Sequence, residues 1–286
     1  MRKTINVNNV LHYWGFLIML ILAFSSCRKD LSIPLSSDFT KQKREHLGDL
    51  VKVTISADPV NFPALPLSNN FDSTYWYIQK LYNQVTNAMR VDGFAPEHNR
   101  WNSIREWQVT ILNQDELKTA FITPAGHLYL STGLLKSLTK ENQLYYILAF
   151  EATLMNEKFL FNRLINQYNT TTLDDILNDS HPYNDSILVD VANMISNIEF
   201  DQDVVEDIDR KAVSLICKTS IFDRTGIISV LDLLDEADTK WLQTRKSYDV
   251  RNQLDYIINL PINSGGVCGD FVTNGGYQKY VLDKLD

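Results

Sequence analysis

The chain has 286 residues, 44% of them apolar and 22% charged, and a formal net charge of -8. That length supports a sizeable core, and the composition is not that of a disordered or fibrous chain. The surplus of acid leaves no general basic surface to neutralise phosphates, which argues against nucleic acid as the main partner. Residues 1–27 read as a targeting segment outside the fold. Arg2 and Lys3 supply positive charge, the apolar run Trp14 to Phe24 is shorter than a comfortable membrane span, and small residues precede Cys27.

The end of that run, Phe24-Ser25-Ser26-Cys27, resembles the lipobox of a bacterial lipoprotein signal. The resemblance implies cleavage before Cys27, a lipid anchor on that residue, and a place in the bacterial cell envelope. The outer membrane is the expected site, on its periplasmic or surface face. A plain secretory signal and an N-terminal anchor helix are the alternatives. The start Cys27-Arg28-Lys29-Asp30 also resembles lipoproteins of the Bacteroidota. Residues 28–70, with Pro34, Pro59, Pro63 and Pro66, read as a tether and an irregular N-terminal segment. Residues 71–286 read as the folded domain.

From Asp72 the pattern changes. Tyr75, Ile78, Tyr82, Val85 and Met89 recur at three- and four-residue steps, predicting an amphipathic helix that stops near Gly93. The aromatic residues of that stretch suit either a binding face or a core, and the spacing favours core. Trp107–Leu112, Thr119–Thr123 and His127–Ser131 read as strands, with a turn at Pro124-Ala125-Gly126. Thr139 is a candidate N-cap for a long helix to about Asn166. Further helices are expected over Ile187–Ile198, Asp203–Thr219, Thr225–Ala237, Val250–Leu260 and Tyr277–Leu285. The fold class is therefore α+β, mainly helical with a small antiparallel or mixed sheet before the long helix. No repeat and no low-complexity tract appears. No Gly-rich phosphate loop follows a strand, so nothing points to a nucleotide. Cys217 and Cys268 suit either a disulfide or two separately buried thiols.

Ala120-Phe121, Pro124, Gly126, Tyr129 and Gly133-Leu134-Leu135 are followed, after a short gap, by Leu148-Ala149 and Glu151. Their order and spacing resemble the gluzincin metallopeptidases of the HtpX and BepA type (peptidase family M, number forty-eight), over about Asp72 to Leu260. The resemblance implies a zincin-like fold. Active members carry a helix reading HExxH, whose two His share one zinc and whose Glu is the general base. A Glu on a later helix, four residues before an Asp, completes their site. Here Phe150, Leu154 and Val205 stand at the three ligand positions, with Asp209 and Ala212-Val213 aligned. Using Glu206 as ligand would put Asp209 out of place. Lys158-Phe159 replaces the Arg-His that often follows the motif, and Thr244-Arg245-Lys246 replaces a Thr-His-Pro turn.

Glu151 is thus the expected relic of a general base, and zinc, the cofactor of active relatives, is not expected here. A structural zinc is worth an apparent ~10–16 kcal/mol near neutral pH. Phe, Leu and Val forgo that, and each recovers roughly 1.5–3 kcal/mol by burial. The alternative for Glu151 is a helix carboxylate that reaches solvent or pairs with a cation. Among the His residues, His12 leaves with the targeting segment, no two of His46, His98, His127 and His181 have zinc-ligand spacing, and His127, whose strand borders the cleft in the family, reads first as a surface or core His with no ligand role. In active relatives the sheet edge takes substrate as an added strand, so His127, Leu128, Tyr129, Leu130 and Ser131 are the expected peptide contact. The acids Glu199, Asp201, Asp203, Glu206, Asp207 and Asp209 lack the Gly and spacing of a calcium loop, and suit an acid-rich helix start. The expected function is a lipid-anchored, non-catalytic scaffold binding an envelope protein or peptide. An active metallopeptidase with atypical ligands and a purely structural lipoprotein are the alternatives.

Overall fold

The computed structural model describes residues 40–68, 70–91, 108–235, 268–272 and 275–285. The chain divides into Met1–Ser37 and Asp38–Asp286, and everything below belongs to the second unit. Cys27, His12, His98, Trp107, the Thr244-Arg245-Lys246 turn and the helix expected over Val250–Leu260 lie outside the described residues. The elements run α1 (Lys41–Ala57), α2 (Asp72–Val91), β1 (Val109–Leu112), β2 (Ala120–Ile122) and β3 (Leu128–Ser131). Then come α3 (Thr132–Ser137), α4 (Glu141–Asn156), α5 (Phe159–Tyr168), α6 (Thr170–Leu177) and α7 (Asn184–Ser196). After α8 (Gln202–Thr219) and α9 (Thr225–Asp235), a π-helical stretch at Gln278–Leu282 leads into α10 (Asp283–Leu285). The class is α+β, mostly helical with one small mixed sheet.

The first helix corrects the sequence reading, which made 28–70 irregular throughout. Leu47, Val51 and Ile55, four residues apart, form a buried stripe, and Thr40 caps the helix by accepting the Lys43 N–H at 3.4 Å. The stripe packs on α7 and α6, and Lys43 Nζ bonds Asp174 at 2.8 Å. A Cβ on Gly48 would meet the backbone N of Ala125 at 2.2 Å, so α1 lies directly against the turn between β2 and β3. The long helix is also shorter than expected. It ends at Asn156, Lys158 turns left-handed (φ 64°), and α5 starts afresh at Phe159. Glu157, at the break, accepts a bond from Lys211 Nζ of α8 at 2.5 Å. The start is fixed by Gln143 and not by Thr139: its Oε1 accepts the N–H groups of Thr139 (2.7 Å) and Lys140 (2.9 Å).

In the sheet β3 is central, parallel to β1 and antiparallel to β2. Residues 63–65 cover the outer side of β1 through Leu65 N–H to Ile111 O (2.7 Å) and Asn113 N–H to Pro63 O (2.7 Å). β2 is buried and packs on α4 and α7. The hub is α4, in contact with α8, α9, α2, α5 and β2, and its residues from Glu141 to Leu154 are all buried. The C-terminal segment closes the N-terminal end of α4. Val272 O accepts the Asn142 N–H at 3.1 Å, and the buried Tyr277 donates to Leu135 O at 2.5 Å. A disulfide joins Cys217 of α8 to Cys268, closing a separation of 51 residues.

Loop entropy for that separation predicts that Cys217→Ser with Cys268→Ser costs about 4 kcal/mol. Urea unfolding of the wild type, with and without reductant, and of the double variant measures it. An unchanged midpoint in the variant would show that the bridge adds nothing to this fold.

Candidate functional site

Two helices carry the positions that the sequence singles out. Phe150 and Leu154 sit one turn apart on α4, each 2% exposed, and Val205 on α8 is 1% exposed. α4 packs more extensively on α8 than on any other element. One turn before Phe150 is Tyr146, and one turn after Val205 is Asp209. The Tyr146 hydroxyl donates to Asp209 Oδ1 at 2.5 Å, with both residues fully buried. The Tyr146 and Phe150 rings lie 6.3 Å apart at 59°. Phe, Leu and Val offer no lone pair, so these residues do not fit a zinc ion. Among the described residues no group of three or more His, Cys, Asp or Glu is placed to hold a metal.

Glu151 is fully buried, which removes the alternative in which it reaches solvent. It faces Tyr82 of α2: burial first, and the Glu151 charge second, push the Tyr82 phenol up from its ordinary range. The Tyr82 hydroxyl donates to Gly126 O at 3.3 Å, so Glu151 stands near the β2–β3 turn as well as α2. Every face of α4 is covered, and a carboxylate anywhere along its middle turns is enclosed.

The expected peptide contact, His127 to Ser131, is not an edge. Pairing with β1 on one side and β2 on the other occupies the β3 backbone, so it cannot take an added strand. Its side chains have interior tasks. His127 Nε2 lies 3.4 Å from Asp49 Oδ1 of α1, and Leu128 and Leu130 are core. Tyr129 stacks on Phe121 with centroids 4.7 Å apart, and burial pushes its phenol up. Ser131 Oγ accepts the Leu134 N–H at 3.2 Å as the cap of α3, and the Thr119 N–H at 2.9 Å. The sequence shows the β2–β3 hairpin, but the parallel partner β1 is a non-local pairing with no local mark.

The remaining residues disperse. His46 is exposed, and His181 Nδ1 accepts the Tyr183 N–H at 3.2 Å. Of the acidic run, Asp201 precedes α8 as its N-cap residue, and Asp203 lies in its first turn. Glu206 accepts from Gln202 at 3.0 Å, and Asp207 pairs with Arg210 and Lys211. That is the expected acid-rich helix start. Sequence reasoning missed Tyr146 as the partner of Asp209, although its four-residue offset from Phe150 was visible. It also missed an open cleft of about 170 Å³ between α2, α4 and α8, lined by Met89, Thr153, Asn156, Glu157, Arg210, Lys211, Ser214, Leu215 and Lys218. No protein-family model matches the chain, and no curated protein matches it.

The buried Tyr146–Asp209 bond is expected to tie α4 to α8. Tyr146→Phe should lower stability by about 1–3 kcal/mol, the range for leaving a buried polar partner unsatisfied. A double-mutant cycle with Asp209→Asn, read by urea denaturation, should give a coupling above about 1 kcal/mol. Additive effects would dissolve the tie.

Proposed function

We propose that the protein is a lipid-anchored component of the bacterial cell envelope with a gluzincin-like, zincin-type scaffold that works without zinc. Its task is binding, with an envelope protein or peptide as partner and no nucleic acid or nucleotide involved. The observation that carries this reading is the state of the three ligand positions. Phe150, Leu154 and Val205 are all core residues on two helices packed together, and none has a donor atom. The relic base Glu151 is enclosed beside Tyr82. A metallopeptidase acidifies its hydrolytic water with a metal, and the donor-free side chains of Phe150, Leu154 and Val205 do not support one. Ligand chemistry therefore weighs against an active metallopeptidase with atypical ligands. Binding cannot proceed by strand addition to β3, so the proposal assigns it to the helical surface.

Purified protein should contain no stoichiometric zinc by elemental analysis and cleave no generic protein substrate. One zinc per chain, lost to a chelator together with peptidase activity, would overturn the proposal. The triple variant Phe150→His, Leu154→His, Val205→Glu probes the scaffold from the other side. It should gain measurable zinc binding and, without metal, lose stability, because buried polar groups replace apolar ones. Failure to bind zinc in a folded triple variant would count against the gluzincin-like geometry.

The anchor has its own test. Cys27→Ala should release the protein from the membrane fraction or leave the precursor uncleaved. A processed variant that stays membrane-bound would sink the lipoprotein reading.

A further inference from the structure

Trp76, near the start of α2, is 49% exposed although it carries the largest apolar ring of that helix. Its ring meets Tyr280 of the C-terminal π-helical stretch edge-on, with centroids 5.9 Å apart, and Tyr280 stacks on the buried Tyr77 at 5.3 Å. Thr74 donates its hydroxyl to Tyr280 O at 2.5 Å. Gly276 lies so close to Tyr77 that a Cβ there would meet the Tyr77 hydroxyl at 2.8 Å. The outer rings are thus held from beneath, by two segments far apart in sequence. Lys80, one turn after Trp76, sets its ammonium 5.3 Å from the Trp76 ring centre, and Lys279 sets its own 5.0 Å from that of Tyr280. Both lysines are exposed, and neither forms an ion pair with another described residue.

The chemistry of these four side chains selects the partner. Indole and phenol each join an apolar body to a polar tip. Neither the Trp76 ring N–H nor the Tyr280 hydroxyl has a hydrogen-bond partner among the described residues, so both tips are left to the medium. A boundary between lipid and water suits both halves of such rings. Ammonium groups beside them suit the phosphates of anionic head groups. A cationic ligand is disfavoured, because each ring already faces an ammonium. Two acids stand near the patch: Asp72, one turn before Trp76, and Asp283, which accepts from Gln278 at 2.6 Å. The net charge of -8 opposes approach to an anionic surface, but screening confines that to about 8 Å at physiological salt, and contact then depends on the patch.

We propose that Trp76, Tyr280, Lys80 and Lys279 form a docking patch for the surface of an anionic phospholipid bilayer. The rings enter the head-group boundary, and the ammonium groups bond lipid phosphates. The proposal rests on the envelope reading for the membrane it meets, and not on the metallopeptidase resemblance. The test reconstitutes the full chain with vesicles of phosphatidylglycerol and phosphatidylcholine whose chains carry bromine near the head-group end, and reads tryptophan quenching. The difference between wild type and Trp76→Phe isolates the Trp76 signal. That signal should be quenched in the mixed vesicles, and less so in pure phosphatidylcholine or at high salt. Lys80→Gln with Lys279→Gln should lower the ratio of docked to undocked protein by about 30-fold, the scale for two charges at an anionic surface. Arg163→Gln, an exposed cation on α5, should leave it unchanged. Membrane retention of Cys27→Ala reports on the anchor and Trp76 quenching on the patch, so either can fail alone. Should the lysine variant fail to fold by circular dichroism, the Trp76 signal in anionic against zwitterionic vesicles decides. An unquenched Trp76 in the anionic vesicles, equal quenching in zwitterionic ones, full quenching in a folded lysine variant, or a Trp76-dependent dimer in sedimentation would overturn the proposal.

Discussion

Burial of α4 on every side is the constraint from which the other arrangements follow. A surface helix can turn its polar residues to water, but from Glu141 to Leu154 this one cannot. Each polar group there needs a protein partner, since an unmet buried donor or acceptor costs on the order of 1–3 kcal/mol. Gln143 bonds back to the residues that precede the helix. Asn142 donates its side-chain amide to Asp223 at 2.7 Å and to Thr225 at 3.2 Å, which fixes the start of α9. Tyr146 reaches Asp209, and Thr153 donates to Ala149 O at 2.7 Å within the helix. These bonds decide where neighbouring elements sit. Gly226 illustrates the consequence: a Cβ there would lie 2.2 Å from Asn142 O, so α9 closes on α4 to a distance only glycine permits.

The same constraint explains which parts of the fold were legible. The helix over Tyr75–Met89, the hairpin around Pro124-Ala125-Gly126 and the helix ending at Thr219 each carry a local signal, either a period or a turn residue. Most of what was missed lacks one. The parallel pairing of β1 with β3 joins segments separated by two turns and another strand. The break at Lys158 has neither Gly nor Pro, and its left-handed residue is held by tertiary contacts such as Glu157 with Lys211. The helix over Lys41–Ala57 had a readable stripe, but the prolines on either side favoured a tether. At the candidate site, residue identities were enough to show that no donor atoms stand at Phe150, Leu154 and Val205. Only packing could show that Glu151 is enclosed and that β3 has no open side.

The enclosure of Glu151 and the apolar character of Phe150, Leu154 and Val205 fit together physically. A metal centre needs a cavity, polar ligands held in the interior, and a path for water. Each is a cost in packing that the bound ion offsets. On the proposed reading, in which the scaffold works without the ion, a half-retained site would be worse than none, because an imidazole or carboxylate in a dry cavity has no partner. Phe150, Leu154 and Val205, all apolar and buried, carry no such penalty. Tyr146, one turn before Phe150, donates its hydroxyl to the buried acid Asp209.

What this leaves for function is geometric. The sheet offers no strand of β3 for pairing, and α4 is buried from Glu141 to Leu154, so the proposed binding role falls to other surfaces, the helical exterior among them. The exterior is not uniform. Along α8 the inward side, with Val205, Ile208 and Asp209, is committed to the core, while Arg210, Ser214 and Lys218 line an open cleft. One helix thus separates a closed interior from a surface with donors over an apolar floor. A chain whose net charge is -8 repels anions at long range, although screening confines that repulsion to about 8 Å at physiological salt. Within that distance the side chains lining the cleft, Arg210, Lys211 and Lys218 beside Glu157, govern what can dock there.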